Sequence, residues 1–379
     1  MNRNIPDTGM SIFSVMSALA NRHQAVNLSQ GFPDFPIDPA LSQLLEEASR
    51  EGFNQYAPMP GLLSLREAIA RKIQHFQQVE IHPETEITIT PGATYGIYTA
   101  LATVLNPGDE VIILEPAYDS YLPNIQMAGA CAVPIPLMAD TFAVDWDRVN
   151  AAVTPATRAI IFNNPHNPSG KVWQTEDFEQ LTRLVNRHNL YVIADEVYEH
   201  LVYDGLRHRS VLQFPELRQR AFAVYSFGKV FHNTGWKMGY CVAPAALMHQ
   251  FRMLHQFLAF SVNTPAQQAL AWYLEDLSVI EKAANLLETK RDFLIRLMQD
   301  TPFRCPFITQ GSYFQLYDYS AISDMEDKAF AEWLCTEHGV ATIPLSPFYH
   351  NKDQGKFLRF CFAKKEATLQ EAVNRLKNI

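Results

Sequence analysis

Between residues 86 and 245 two hydrophobic rhythms alternate along the chain. Apolar runs of strand length, "EITITPG", "EVIILEP", "TRAIIFNNP", "LYVIADE", "RAFAVYSFG" and "MGYCVAP", are each bounded by Pro, Gly, Asn or Asp. Between them stand helical stretches, "TYGIYTALATVL" and "TEDFEQLTRLVNRHN", the second with the acidic first turn that a helix dipole favours. Strands and helices in alternation predict an α/β fold, a mostly parallel central sheet flanked by helices.

After residue 265 the texture changes. Long helical patterns, "TPAQQALAWYLED" and "VIEKAANLLETKRDFLIRLMQD", lead to "GSYFQLYDY", a further helix and "KFLRFCFAK", which predicts a smaller α+β domain. The expected division is a large domain over 36–270 and a small one over 271–379. Residues 1–35 form a segment that joins the small domain. Within it Ile12, Val15, Met16 and Leu19 make one apolar face at helical spacing, the mark of a short docking helix. Ala18-Leu19-Ala20 resembles a signal-peptidase site. Arg3, however, is offset by Asp7, and Ser11, Ser14 and Ser17 break the apolar run, so export is not expected. No apolar run approaches the ~20 residues of a bilayer span.

Composition narrows the partners. The 379 residues are 47% hydrophobic and 19% charged, an ordinary globular balance that can bury a large core. A net charge of −9 leaves no basic footprint for nucleic acid, so small molecules are the expected ligands. The five cysteines are scattered and odd in number without a C-x-x-C pair, which argues against a disulfide framework or zinc knuckle. The expected location is the reducing cytoplasm.

The polar chemistry gathers at strand ends, where open parallel sheets bind ligands. "TPGAT", residues 90–94, turns from strand to helix through small residues, so Gly92, Ala93 and Thr94 can present backbone N–H groups and a hydroxyl to an anion; alone it is only a turn. "NNPHNPSG", residues 163–170, sets Asn163 and Asn167 in a loop that turn chemistry by itself would explain. "ADEVYEH" places Asp195 after an apolar strand, where a buried carboxylate needs a partner or caps a helix, with Tyr198 three residues on. "YSFGKVFHNTGWKMGY", residues 225–240, holds Lys229 and Lys237 among aromatic, apolar and small residues. Most lysines are solvated, but an ammonium in apolar surroundings loses pKa and becomes a nucleophile and base.

Together these loops resemble the class I aminotransferases, pyridoxal-phosphate (PLP) enzymes of fold type I. The likeness covers nearly the whole chain, from "NLSQGFPDF" and "NQYAPMPG" through "EPAYDSY" to "FLRFCFAK". "QGFPDF", "NQYAPM", "FSVNTPAQ", "EHGVATIPLS" and "CFAKKE" resemble the branch of methionine, kynurenine and glutamine–phenylpyruvate aminotransferases.

The resemblance implies a role for each group. Lys229 would link covalently to PLP and move the substrate's Cα proton. Lys237, where arginine is commoner, would hold the cofactor phosphate with Ser226 and the turn at Gly92, Ala93 and Thr94. Asp195 would pair with the pyridine nitrogen, Asn167 and Tyr198 with the ring's 3-oxygen, and Tyr118 would stack on the ring. Tyr56 would reach the cofactor of the other subunit in a homodimer. Arg359 would grip the substrate α-carboxylate with its bidentate fork, helped by Asn163 and the backbone at Gly31. Ile12, Phe13, Phe32, Tyr56, Tyr95, Tyr118 and Phe260 are candidates for an uncharged aromatic wall around the substrate side chain. The sequence departs from the commoner pattern at Gly228, where serine or lysine is frequent, and at Val230, where threonine is.

The implied reaction is transamination of methionine and other large neutral or aromatic amino acids with a 2-oxo acid. Aspartate is disfavoured, since no second cation for it is identifiable. A kynurenine or glutamine aminotransferase with β-lyase side activity on C–S bonds is the alternative. A non-enzymatic module of the same fold would predict an added DNA-binding segment or loss of the lysine.

Overall fold

The computed structural model describes residues 9–350, 355–377 and 379; Arg3 and Asp7 lie outside the described residues. Seven strands, Ile87–Thr90, Glu110–Glu115, Cys131–Pro136, Thr157–Asn163, Tyr191–Asp195, Ala221–Ser226 and Gly239–Val242, form one sheet. Its lateral order is first, seventh, sixth, fifth, fourth, second, third. Only Gly239–Val242 runs against its neighbours. The predicted parallel sheet is therefore present, with one strand that the apolar pattern did not announce. Cys131–Pro136 carries two prolines, Pro134 and Pro136, and sits at the sheet edge, where a missing N–H is tolerated.

The middle strands are buried over all but one residue each, as a sheet covered on both faces requires. Register sets Asp195 beside Asn163 on one side and Val224 on the other, so separate loops meet at one end of the sheet. The helix Ala93–Val104 packs on the strands Tyr191–Asp195, Ala221–Ser226 and Gly239–Val242, which aims its first turn at that end.

Below the turn after Asp195 lies a buried polar network. Lys72, on the helix Leu63–Gln77, donates to Glu199 and to the Tyr240 hydroxyl. Gln77 Nε2 donates to the other Glu199 oxygen at 2.9 Å. Glu196 accepts from Val211 N–H and Tyr225 O–H, both at 2.8 Å. Asp195 and Tyr198 alternate with these two glutamates, so the network pins the segment that presents them. A charge buried without its partner costs roughly 3–5 kcal/mol, which makes Lys72 and Glu199 mutually dependent.

The carboxy-terminal part builds a three-stranded antiparallel sheet with Phe357–Cys361 between Ile343–Pro344 and Phe314–Asp318. Arg359 sits on that central strand, in register with Leu316 and Ile343. The expected amino-terminal helix is Ile12–His23. It packs on the helix Asp327–Glu337, burying Met16 and Ala20, with Ile12, Val15 and Leu19 half-buried. Val26–Asn27 then pairs in parallel with Val340–Ala341. Among the described residues no helix is long and apolar enough to cross a membrane.

Candidate active site

A cleft of about 590 Å³ opens where the sheet's strand ends face the Arg359 strand and the amino-terminal segment. Its lining brings together Gly31, Phe32, Gly92, Ala93, Thr94, Tyr118, Asn163, Asn167, Asp195, Tyr198, Ser226, Lys229, Lys237 and Arg359. Four expected residues, Ile12, Tyr56, Tyr95 and Phe260, lie outside this lining. Tyr95 follows the turn at Gly92 but points its hydroxyl at His255 Nδ1, 2.9 Å away. Tyr56 is 83% exposed and packs edge-on against Phe260, itself half-exposed, with ring centroids 5.6 Å apart. Of the expected aromatic wall, Phe13, Phe32 and Tyr118 line the cleft; Ile12, Tyr56, Tyr95 and Phe260 do not.

At one end the helix Ala93–Val104 starts without a side-chain cap, leaving first-turn N–H groups for an anion. The turn is tight for a local reason. Gly92 has φ +85°, and a Cβ on it would lie 3.3 Å from Lys237 Nζ. A Cβ at Gly239 would come within 2.7 Å of the Tyr225 carbonyl and 3.0 Å of Ala93 N, so only glycine lets the neighbouring strand pass. The departure at Gly228 has a similar basis, since a Cβ there would stand 3.0 Å from Thr234 Cα.

In the middle, Asp195 is 4% exposed and accepts from the Tyr121 hydroxyl at 2.5 Å and from Val197 N–H at 3.3 Å. Burial pushes its pKa up to about 6, against the pull of those donors and of the Lys229 charge. Lys229 follows the strand Ala221–Ser226, its Nζ 5.9 Å from the Tyr198 ring centre and 5.8 Å from that of Tyr313. Burial lowers its pKa to about 8, with Asp195 acting to raise it. The free amine is thus a substantial minority at physiological pH, far more than for a solvated lysine, in keeping with the apolar sequence around it.

At the other end Arg359 is 1% exposed. One Nη donates to Asn167 Oδ1 at 2.9 Å and the other to the Ser29 carbonyl at 2.8 Å, while Nε has no partner among the described residues. The guanidinium lies 3.7 Å from the Phe314 ring centre. A Cβ at Gly31 would collide with that ring at 2.8 Å, which explains glycine there. Asn163 Oδ1 accepts from Asn167 N–H at 2.6 Å and its Nδ2 donates to the Asp195 carbonyl at 2.9 Å, tying the arginine's support to the carboxylate's strand.

Tyr121, Glu196, Glu199 and Lys72 were not read as site residues, because their roles depend on contacts between segments far apart in sequence. Asp119 was also missed, although it lies within the quoted "EPAYDSY"; it lines the cleft, so the expected uncharged wall carries an acid.

The sequence matches the aminotransferase class I and II family over residues 23–376. This chain is a class I/II aminotransferase. It is 46% identical over 376 residues to the methionine aminotransferase of Escherichia coli K12, covering 99% of this chain and 97% of that protein. A probable N-succinyldiaminopimelate aminotransferase of Mycobacterium tuberculosis is 39% identical, with 97% and 95% covered. The crystal structure of an Escherichia coli methionine aminotransferase superposes with a TM-score of 0.97 at 45% identity, over 100% of this aminotransferase and 99% of that chain. The fold-type I architecture expected from the sequence is shown by these likenesses, and class I aminotransferases as a family depend on PLP.

Proposed function

We propose that this aminotransferase uses PLP in the cleft to transaminate methionine and other large neutral or aromatic amino acids with a 2-oxo acid acceptor. The observation that carries the reading is the gathering of three unlike groups in one cavity: a buried lysine of lowered pKa, a buried carboxylate and a buried arginine whose Nε has no partner among the described residues. The residues fit the cofactor. Lys237, Ser226 and the uncapped helix at Gly92, Ala93 and Thr94 would hold its phosphate, Asp195 its ring nitrogen, Asn167 and Tyr198 its ring oxygen, and Tyr118 its face. When bound, PLP supplies an electron sink for the charge left at the substrate's Cα.

The chain's own groups do the rest. A cation against Asp195 would return it to the charged form, offsetting the burial that now raises its pKa. Lys229, with its depressed pKa, can act as nucleophile when the cofactor is taken up and can then take the Cα proton as a free amine and deliver it. Arg359 would seat the α-carboxylate through the Nε edge its neutral partners leave open, with Asn163 and the Gly31 backbone beside it. Phe13, Phe32 and Tyr118 would receive the side chain.

The chain division at 36–270 and 271–379, with residues 1–35 joining the latter, belongs to the same proposal and is supported by the pairing of Val26–Asn27 with Val340–Ala341. So does a homodimer, in which exposed Tyr56 and Phe260, with Phe257 at 80% exposure, would meet a second copy. Five free cysteines fit a reducing cytoplasm. The test is kcat/KM for methionine, phenylalanine and aspartate as donors with one fixed acceptor. Methionine and phenylalanine are expected to exceed aspartate; a preference for aspartate would overturn the substrate reading.

A further inference from the structure

We infer that Asp119 is a specificity-determining residue, a carboxylate placed in the cleft to exclude amino and oxo acids that carry a second negative charge. The inference rests on the reading above that Arg359 receives the substrate's α-carboxylate. Two acids line the cleft, and they sit differently. Asp195 is 4% exposed and engaged by Tyr121. Asp119 is half-buried, and the only hydrogen bond to its carboxylate among the described residues comes from its own backbone N–H. It therefore keeps acceptor capacity that no neighbour uses.

The cations of the lining are Lys229, Lys237 and Arg359. Lys237 stands over the Gly92 turn and Lys229 beside Tyr198, both committed to the cofactor end, and Arg359 would be taken by the α-carboxylate. A donor with an anionic side chain would bring its second carboxylate to a wall whose one charged group is Asp119. Like charges facing each other in a partly desolvated cleft repel strongly, so the wall selects by rejection rather than by shape alone. Burial raises the Asp119 pKa, and the charge of Arg359 holds it down, so the arginine that binds the substrate also favours the ionised acid.

The segment fixes the acid in place. Ala117 N–H donates to the Phe348 carbonyl at 2.8 Å, and Tyr121 N–H to the Tyr118 carbonyl at 3.0 Å. Phe13, half-buried beside Tyr118 with ring centroids 6.4 Å apart, extends the same wall in apolar form. A methionine or phenylalanine side chain could lie along the rings without placing a charge against the carboxylate.

The experiment compares two unreactive acids on the PLP-loaded holoenzyme, read by the visible absorption of the bound cofactor: succinate and 4-methylthiobutanoate, which is methionine without its amine. In the unaltered protein succinate is expected to bind more weakly. Asp119→Asn should improve succinate relative to 4-methylthiobutanoate by about tenfold or more, whereas Asp119→Glu should keep the discrimination. Asp119→Asn should also raise kcat/KM for aspartate relative to methionine. An unchanged ratio in Asp119→Asn, or an equal shift for both acids as expected of a mere counter-ion to Arg359, would overturn the inference. If methionine proves a poor donor while the binding ratio still shifts, the substrate reading fails and the role of Asp119 stands.

Discussion

The two ends of the cleft are built on opposite plans. At the cofactor end the polar groups come from strand ends of a single sheet, and the key carboxylate is already satisfied, with Tyr121 and Val197 donating to Asp195. At the recognition end Arg359 is drawn from the carboxy-terminal sheet and meets Ser29, Asn167 and Phe314 from three other segments, with Nε left open. On the proposed reading, one end is preorganised for the cofactor and the other keeps a donor for the substrate's carboxylate. A site that must exchange donor and acceptor acids benefits from this inequality, because binding energy is gained only when the ligand arrives.

Removing the groups one at a time tests that contrast. Lys229→Ala should lower kcat by about 10⁴-fold or more, since both its nucleophilic and proton-transfer roles vanish, as steady-state assays with methionine would show. Retained turnover would move the chemistry to another lysine. Asp195→Ala should cost about 10²–10³-fold in kcat with the fold kept, the usual loss of one preorganised electrostatic partner. A normal rate would reduce Asp195 to a helix cap.

Arg359→Lys acts at the other end. It should lower kcat/KM for every donor alike by about 2–3 kcal/mol, because a lysine cannot reproduce the planar fork. A loss that varied widely between donors would mean that Arg359 reads side chains as well. The smallest effect belongs to Tyr121→Phe. The Tyr121 O–H holds the pKa of Asp195 down, so its removal should raise that pKa above the present value of about 6. The carboxylate would then protonate at higher pH in the cofactor-free protein, a shift that carbon NMR of the aspartate would follow. No change in the titration would dissolve the claim that the cofactor end is held by this hydrogen bond.

The same contrast explains what the sequence disclosed. Lys229, Asp195 and the Gly92 turn stand in compact motifs at strand ends, where periodicity locates the strand and residue type supplies the chemistry. Six of the seven large-sheet strands were legible for the same reason, while Cys131–Pro136 was hidden by its prolines. Arg359 needed the resemblance to a family, for nothing local distinguishes it from an arginine paired with a structural acid. Tyr121, Lys72 and Glu199 act through contacts across 74, 127 and 168 positions of sequence, counted from Tyr121 to Asp195, Lys72 to Glu199 and Lys72 to Tyr240. Tyr95 shows the opposite failure. Its place beside the anion turn was right, yet helical geometry carries its side chain away to His255.

The central claim is that burial gives Lys229 a reactive amine, with its pKa lowered to about 8, at the point where the cofactor would be held. The most direct measurement loads the protein with PLP, reduces it with borohydride and maps the modified peptide by mass spectrometry. The account predicts a single pyridoxyl group on Lys229. Modification at Lys237 instead, with Lys229 unlabelled, would contradict it.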